Sequence, residues 1–254
     1  MISVIILAAG KGSRLWSITK NEIPKCLVKI GNRTILDRLI ENFVFNGITK
    51  IFVVVGHLGE MIFDYISNNK ENFQFCRVIK SENFSKGPIF TILDAIHLLD
   101  KSEAYLLCPS DLIIDPKAVS ELLKYYKENK NDLLVGIDTK TMPKGATVLI
   151  EGGIKEFGTI NKFNFSNIKG NMDVKLVPIV IFSRNFIKYI NLAVELKNTK
   201  FIGAMDLFNK DDNQIFYVNL TDYYWFDIDN ADNLRKAKQF LLKIEDLENE
   251  GVYK

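Results

Sequence analysis

Short apolar runs rich in β-branched residues alternate, along the first half of the chain, with longer segments whose apolar positions recur every three or four residues. Residues 4–7, 51–55, 75–79, 105–108 and 133–137 are the short runs. They are too brief for helices and are bounded by turn residues, so they predict buried strands. Residues 34–46, 60–67, 89–99 and 117–128 carry helical spacing; in the first, Ile35, Leu36, Leu39, Ile40, Phe43 and Val44 share a face and Gly47 stops the helix. Strand, helix, strand, helix with short connections means βαβ units and a mostly parallel sheet. Ligands bind such sheets beyond the carboxyl ends of the strands, which puts the Gly10 loop, the Gly56 turn and Asp111 on one edge.

From residue 139 the pattern changes. Residues 146–150 and 154–157 flank Glu151-Gly152-Gly153, a hairpin signal. Residues 174–183 and 215–218 read as strands, 185–196 as a helix, 225–228 as a last strand, and 230–248 as an amphipathic helix with Asn230 at its N-cap. The expected fold class is α/β, a Rossmann-like, mostly parallel sheet flanked by helices, with an inserted antiparallel or mixed β subdomain. Residues 1–254 then form one domain: a core at 1–138, an insertion over the strand ends at 139–220, and a closing strand and helix at 221–254.

Composition narrows the partners. Hydrophobic residues make up 47% of the 254, enough for a sizeable core. Basic and acidic residues number 33 and 31, a net charge of +2 that argues against a nucleic-acid footprint. Cys26, Cys76 and Cys108 are scattered and show no metal spacing, so no disulfide framework or zinc site is indicated, and a reducing cytoplasm is the simplest setting. The first apolar stretch is short and has no basic region before it. It reads as neither signal peptide nor membrane span, and no other stretch is long enough to cross a bilayer.

The first run breaks into Ala8-Ala9-Gly10-Lys11-Gly12-Ser13-Arg14. Small residues let the backbone approach a ligand, and a strand that ends in such a loop points N–H groups at an anion, with Arg14 and Lys25 to add charge. Gly10-x-Gly12 alone fits a plain turn equally well. Asp111 directly follows a buried strand; an Asp there is more often a cap or turn residue, but Asp115 before Pro116 suits that role better. Asp227 and Asp229 alternate along the last strand, so both side chains leave one face. A divalent ion with hard oxygen ligands, such as Mg2+, is one way to hold two like charges together. The other reading has Asp229 capping the final helix and Asp227 paired with a lysine. His57 and His97 read as turn and helix-surface residues, Cys26 and Cys108 as buried fillers, and Trp16 as a lid in a polar loop.

Taken together, Leu7 to Leu15, Pro24-Lys25, Leu106 to Asp111 and Trp225 to Asp229 resemble the nucleotidyltransferase family that makes sugar-nucleotides and related activated headgroups. Ala8-Ala9, Lys144-Gly145-Ala146-Thr147-Val148, Gly153, Lys162 and Leu234-Arg235 look most like the cytidylyltransferases for inositol-phosphate or phosphocholine. Three features depart from the pattern. The segment between Arg14 and Pro24 is one residue longer than usual, with Ser17 where a proline is common. Pro109-Ser110-Asp111 replaces Gly-Asp. Gly87 to Thr91 lacks the usual base-reading motif, which leaves the nucleotide base and the acceptor open.

The resemblance implies transfer from CTP to a small phosphorylated acceptor, releasing pyrophosphate, for surface-polysaccharide or headgroup biosynthesis. It implies a triphosphate cradle at Ala9 to Ser13, Lys11 included, with Arg14 on the departing phosphates and Lys25 on the α-phosphate or the attacking group. Mg2+ would sit on Asp111 and Asp227, with Asp229 as a further candidate ligand. The base and ribose would lie near Leu7, Ala8, Gly87 and Ser110, and Lys162 would hold the acceptor phosphate. The core, insertion and closing segment become nucleotide-binding, acceptor-binding and metal-binding parts. UTP, dTTP or GTP with a sugar 1-phosphate is an alternative, as is a non-catalytic nucleotide-binding regulator. A Rossmann dehydrogenase is disfavoured, because no GxGxxG opens a helix with an acidic residue at the expected distance. A homo-oligomer is left open.

Overall fold

The computed structural model describes residues 1–98, 102–140, 147–150, 154–160, 162–164 and 173–249. The first strand, β1 (Ile2–Ala8), is buried on both faces. Val4 and Ile6 point into one apolar cluster and Ile5 into another, so the run is apolar without alternation. Short strands β2 (Lys29–Ile30) and β3 (Arg33–Thr34) pair as a small ribbon. Helix α2 (Ile35–Phe45) follows, after the four-residue helix α1 (Trp16–Thr19) that precedes the ribbon. Next come β4 (Ile51–Val55), α3 (Gly59–Asn68), β5 (Cys76–Lys80), α4 (Pro88–Leu98), β6 (Ala104–Pro109), β7 (Leu112–Ile114), α5 (Pro116–Asn129) and β8 (Leu133–Asp138). β1 runs parallel to β4 and to β6, and β4 parallel to β5.

The second half supplies β9 (Thr147–Leu149), β10 (Phe157–Ile160), β11 (Lys162–Asn164), β12 (Asp173–Ser183), α6 (Ile187–Glu195), α7 (Phe201–Lys210), β13 (Ile215–Asn219), β14 (Trp225–Asp227) and α8 (Ala231–Asn249). The main sheet runs β10-β13-β8-β12-β6-β1-β4-β5. β12 is antiparallel to both neighbours and separates β6 from β8, so residues 139–220 contribute strands to the central sheet itself. The architecture is a Rossmann-like α/β fold with a mostly parallel core and an inserted mixed β region.

One pairing differs from expectation. β9 pairs with β11 and β12, not with the run that starts near residue 154, and the turn residues 151–153 lie outside the described residues. The 157–160 strand instead pairs with β13, where Phe157 stacks between Tyr125 and Phe216 at 4.7 and 5.7 Å. That stacking, with the apolar area it removes from water, favours this partner.

Helices cover both faces of the sheet. α2, α3 and α5 pack on one cluster through residues such as Leu39, Ile62 and Leu122. α4, α6 and α7 pack on the other through Ile92, Ile190 and Met205. A third, smaller cluster joins Leu15, Val28, Ile30, Ile35, Ile113, Ile228, Leu234, Ala237 and Leu241 under α8. Caps fix the helix starts: Asn233 N–H donates to the Asn230 side chain, and Lys117 N–H to Asp115. Thr34 and Asp37 form a reciprocal capping box at α2, with bonds of 3.0 and 2.7 Å. Thr34→Ala therefore costs about 1 kcal/mol. The expected drop in thermal midpoint, read by circular dichroism, is about 2–4 °C.

Candidate active site

Four chain segments meet at the carboxyl edge of β1 and β6, and the third apolar cluster holds each in place. Leu15 is the anchor next to Arg14, Val28 follows the turn that carries Lys25, Ile113 lies two residues past Asp111, and Ile228 sits between Asp227 and Asp229. All four are buried. The β7–β14 ribbon sets Asp227 opposite Leu112, and Ile228 N–H donates to the Asp111 carbonyl at 3.0 Å. Residues more than a hundred positions apart are thereby brought to one point. Asp111, Asp227 and Asp229 offer carboxylate oxygens that all lie within 4.8 Å of one another.

Two cations enter this cluster. Lys25 Nζ lies 2.5 Å from Asp111 and 3.1 Å from Asp229. Arg14 lies 2.5 Å from Asp229 and is largely exposed. Burial by itself would lower the Lys25 pKa, but Asp111 and Asp229 more than compensate and hold it above its ordinary value. Asp227 goes the other way. Burial, then the neighbouring Asp111 and Asp229 charges, push its carboxyl up to about 7, against relief from Lys25 and Arg14. Three all-oxygen donors short of positive charge fit a hard divalent cation such as Mg2+. The expectation of Asp227 paired to a lysine is not what forms; Lys25 pairs with the other two carboxylates.

The glycine loop wraps one side. Gly12 adopts φ +62°, and a methyl group there would come within 2.6 Å of Lys25 Cγ, so its lack of a side chain is what lets the lysine reach the carboxylates. A side chain at Gly10 would meet nothing within 4 Å; that backbone faces open space. Two loop carbonyls are held by backbone donors: Ala9 accepts from His57 N–H, and Gly12 from Leu15 N–H. Trp16 is a brace here, its indole N–H donating to the Lys11 carbonyl at 3.2 Å. His57 bonds Asn21 and His97 is exposed, as turn and surface residues should be.

A cavity of about 420 Å³ opens over the loop. Of the predicted residues it gathers Leu7, Ala8, Ala9, Gly10, Gly12, Ser13, Arg14, Lys25, Ser110, Asp111 and Asp229. Ser110 is pinned by its N–H to the Leu7 carbonyl. Lys11 is exposed and does not line the cavity. Gly87 also stays outside the wall: at φ +131°, close against Thr199, it shapes the turn that presents Phe84, Pro88 and Thr91. Pro88 and Thr91 belong to the Gly87 to Thr91 segment that the resemblance sets at the base, though neither was singled out as a site residue; Phe84 lies before that segment, and nothing in Phe84-Ser85-Lys86 marks it as a lining residue. Cys26 also lines the cavity, and burial pushes its thiol up to about 12, so it is an uncharged filler. The side chain of Lys162, and residues 144–146, lie outside the described residues.

A second cavity, of about 1020 Å³, shares Arg14 and Asp229 with the first and adds Asp227. The carboxylate cluster thus stands at the seam between two spaces. Lys175 and Trp225 border the second one, with the Lys175 ammonium 4.4 Å above the indole ring. Burial lowers the Lys175 pKa, opposed by Asp227, Asp138 and Asp229. Among the described residues, no helix is long and apolar enough to cross a membrane.

Residues 4–199 match the MobA-like NTP transferase domain, and the chain belongs to that family. It is similar to the bifunctional protein GlmU of Methanococcus vannielii, 27% identical over 246 residues, which is 95% of this chain and 55% of the relative. The chain therefore spans about half the length of that relative. It is similar to the CTP:phosphoglutamine cytidylyltransferase of Campylobacter jejuni, 44% identical over 66 residues, 26% of each chain. In three dimensions it is similar to a UDP-glucose pyrophosphorylase solved with UDP-glucose, with a TM-score of 0.79 and 14% identity, covering 96% of this chain and 99% of the other. The fold is a nucleotidyltransferase fold.

The Asp227 environment sets a pH dependence. Its folded pKa stands near 7, above the ordinary 3.8, so the metal-free folded state holds a proton that the unfolded state gives up. That contribution is fully present below the ordinary pKa and is lost as pH rises towards 7. Asp227→Asn, neutral at every pH, abolishes that loss. In chelator the variant should melt above wild type at pH 8, by a margin that shrinks below pH 7 and closes near pH 4. Added Mg2+ should raise the midpoint of wild type alone. A margin independent of pH would contradict the assignment.

Proposed function

We propose that the protein transfers a nucleotidyl group from a nucleoside triphosphate to a phosphate oxygen of a small phosphorylated acceptor, releasing pyrophosphate. The observation that carries this reading is the seam: Lys25 and three carboxylates stand between a loop-walled cavity and a larger one. The first suits a triphosphate and the second an acceptor. An acceptor oxygen attacks the α-phosphorus, a new P–O bond forms, and the bond to the β-phosphate oxygen breaks in line. Such a transfer needs positioning and charge neutralisation more than covalent help.

The loop backbone from Ala9 to Ser13 holds the phosphates through its amides. Arg14 exchanges Asp229 for the departing phosphates, where a planar fork suits two oxygens. Lys25 neutralises charge at the α-phosphate as a compact cation. Asp111 and Asp227, with Asp229 beside them, would hold Mg2+, which supplies charge neutralisation between α-phosphate and acceptor. Ser110, Leu7 and Ala8 border the nucleoside.

Two nucleotide readings compete. The likeness to the UDP-glucose enzyme, which runs along most of the chain, supports a uridine nucleotide with a sugar phosphate, and this reading stands first. The CTP reading draws on the shorter but closer cytidylyltransferase likeness. Pyrophosphate release should be measured with CTP, UTP, dTTP and GTP against sugar 1-phosphates, inositol phosphate and phosphocholine. One nucleotide should dominate. Asp111→Asn should lower turnover at least about a hundredfold while leaving the melting transition cooperative. Tight nucleotide binding without turnover in any combination would favour a regulator instead.

A further inference from the structure

The larger cavity carries a feature outside the predicted machinery. Asp138, 5% exposed, accepts from the Trp225 indole N–H at 2.9 Å, and the backbone N–H of Lys140 donates to its other oxygen at 2.8 Å. The indole is thus fixed from behind. Its face carries the Lys175 ammonium at 4.4 Å, and both residues border the cavity next to Asp227. A cation held on an aromatic face keeps its donors for something else.

Beyond Lys175 the lining includes an apolar stretch beside the polar Asn230, Asp232, Asn233 and Lys236. β12 lines the cavity with Leu176, Pro178 and Val180 at half-buried positions and with the buried Val177, while Ile179 and Ile181 go into the core. Phe201 and Ile202 of α7 continue the same surface. A charged point followed by an apolar flank suits one kind of molecule: a phosphate group on a body with a hydrocarbon face.

We propose that Lys175, held by Trp225 and Asp138, binds the phosphate of the acceptor, and that Pro178, Val180, Phe201 and Ile202 select an acceptor whose body beside that phosphate is deoxygenated or otherwise apolar. The proposal rests on the transfer reading above. The shared chemistry is a phosphomonoester with an apolar flank; a deoxy-sugar and a carbocycle are two sources of it.

Two matched pairs of acceptors separate the possibilities, each assayed by pyrophosphate release with the preferred nucleotide. One pair is 4,6-dideoxyglucose 1-phosphate and glucose 1-phosphate; the other is cyclohexyl phosphate and myo-inositol 1-phosphate. The deoxygenated member of at least one pair should have the higher kcat/KM, and the pair it belongs to names the source. Lys175→Met keeps the stem on the indole and removes the charge; it should raise the acceptor KM roughly tenfold or more, with the nucleotide KM within about twofold. Lys175→Arg should restore much of the loss. Better turnover of the hydroxylated member in both pairs overturns the apolar flank. An equal rise in both KM values, or no rise, overturns the role of Lys175. No pyrophosphate from any acceptor overturns the transfer reading itself, a result distinct from turnover that ignores residue 175.

Discussion

Three carboxylates gathered within a few ångströms are the constraint on which the rest of the site depends. Left alone they repel, and burial makes the repulsion worse. The chain answers with geometry and with charge. A small apolar cluster pins Leu15, Ile113 and Ile228, one beside each charged segment, so the acids cannot drift apart without opening a core. Lys25, admitted by the bare Gly12, takes up part of the excess charge. The deficit that remains falls on Asp227, which keeps a proton near neutrality.

That unresolved charge is a strain on the metal-free protein and a preparation for ligands. A group that stabilises nothing by itself would become favourable with a divalent cation beside it. The seam position adds direction: charge is neutralised where two cavities touch, at the place where groups from each would exchange a bond. Arg14 has a mixed status. It is tied to Asp229 yet largely exposed, so it can leave its partner at little cost.

The βαβ alternation and the final amphipathic helix were legible because both faces of the sheet are covered: burial leaves unbroken apolar runs in the strands and a spacing of three or four residues in the helices. The acids were legible because each leaves the end of a strand. Other features were not. α7 has Gly203 in its first turn and no capping side chain, so its start carries no signal. β7 is three residues long and gains its meaning only from β14 across the ribbon. Lys175 reads in sequence as a polar position in an alternating strand; its position over Trp225 depends on packing between β12 and β14. The place of β12 between β6 and β8 is a fact of topology, and periodicity does not encode neighbours.

That place has a consequence for the order in which the molecule can form. β6 and β8 lie close in the chain yet meet only through β12. During synthesis the ribosome releases both long before their common partner. Until Asp173–Ser183 arrives, each offers an open edge of unpaired backbone. The insertion of one late, antiparallel strand then joins β6 to β8 and brings Lys175 to Val180 to the wall of the larger cavity in a single event. A nascent chain halted before this strand would present a sticky edge rather than half an enzyme.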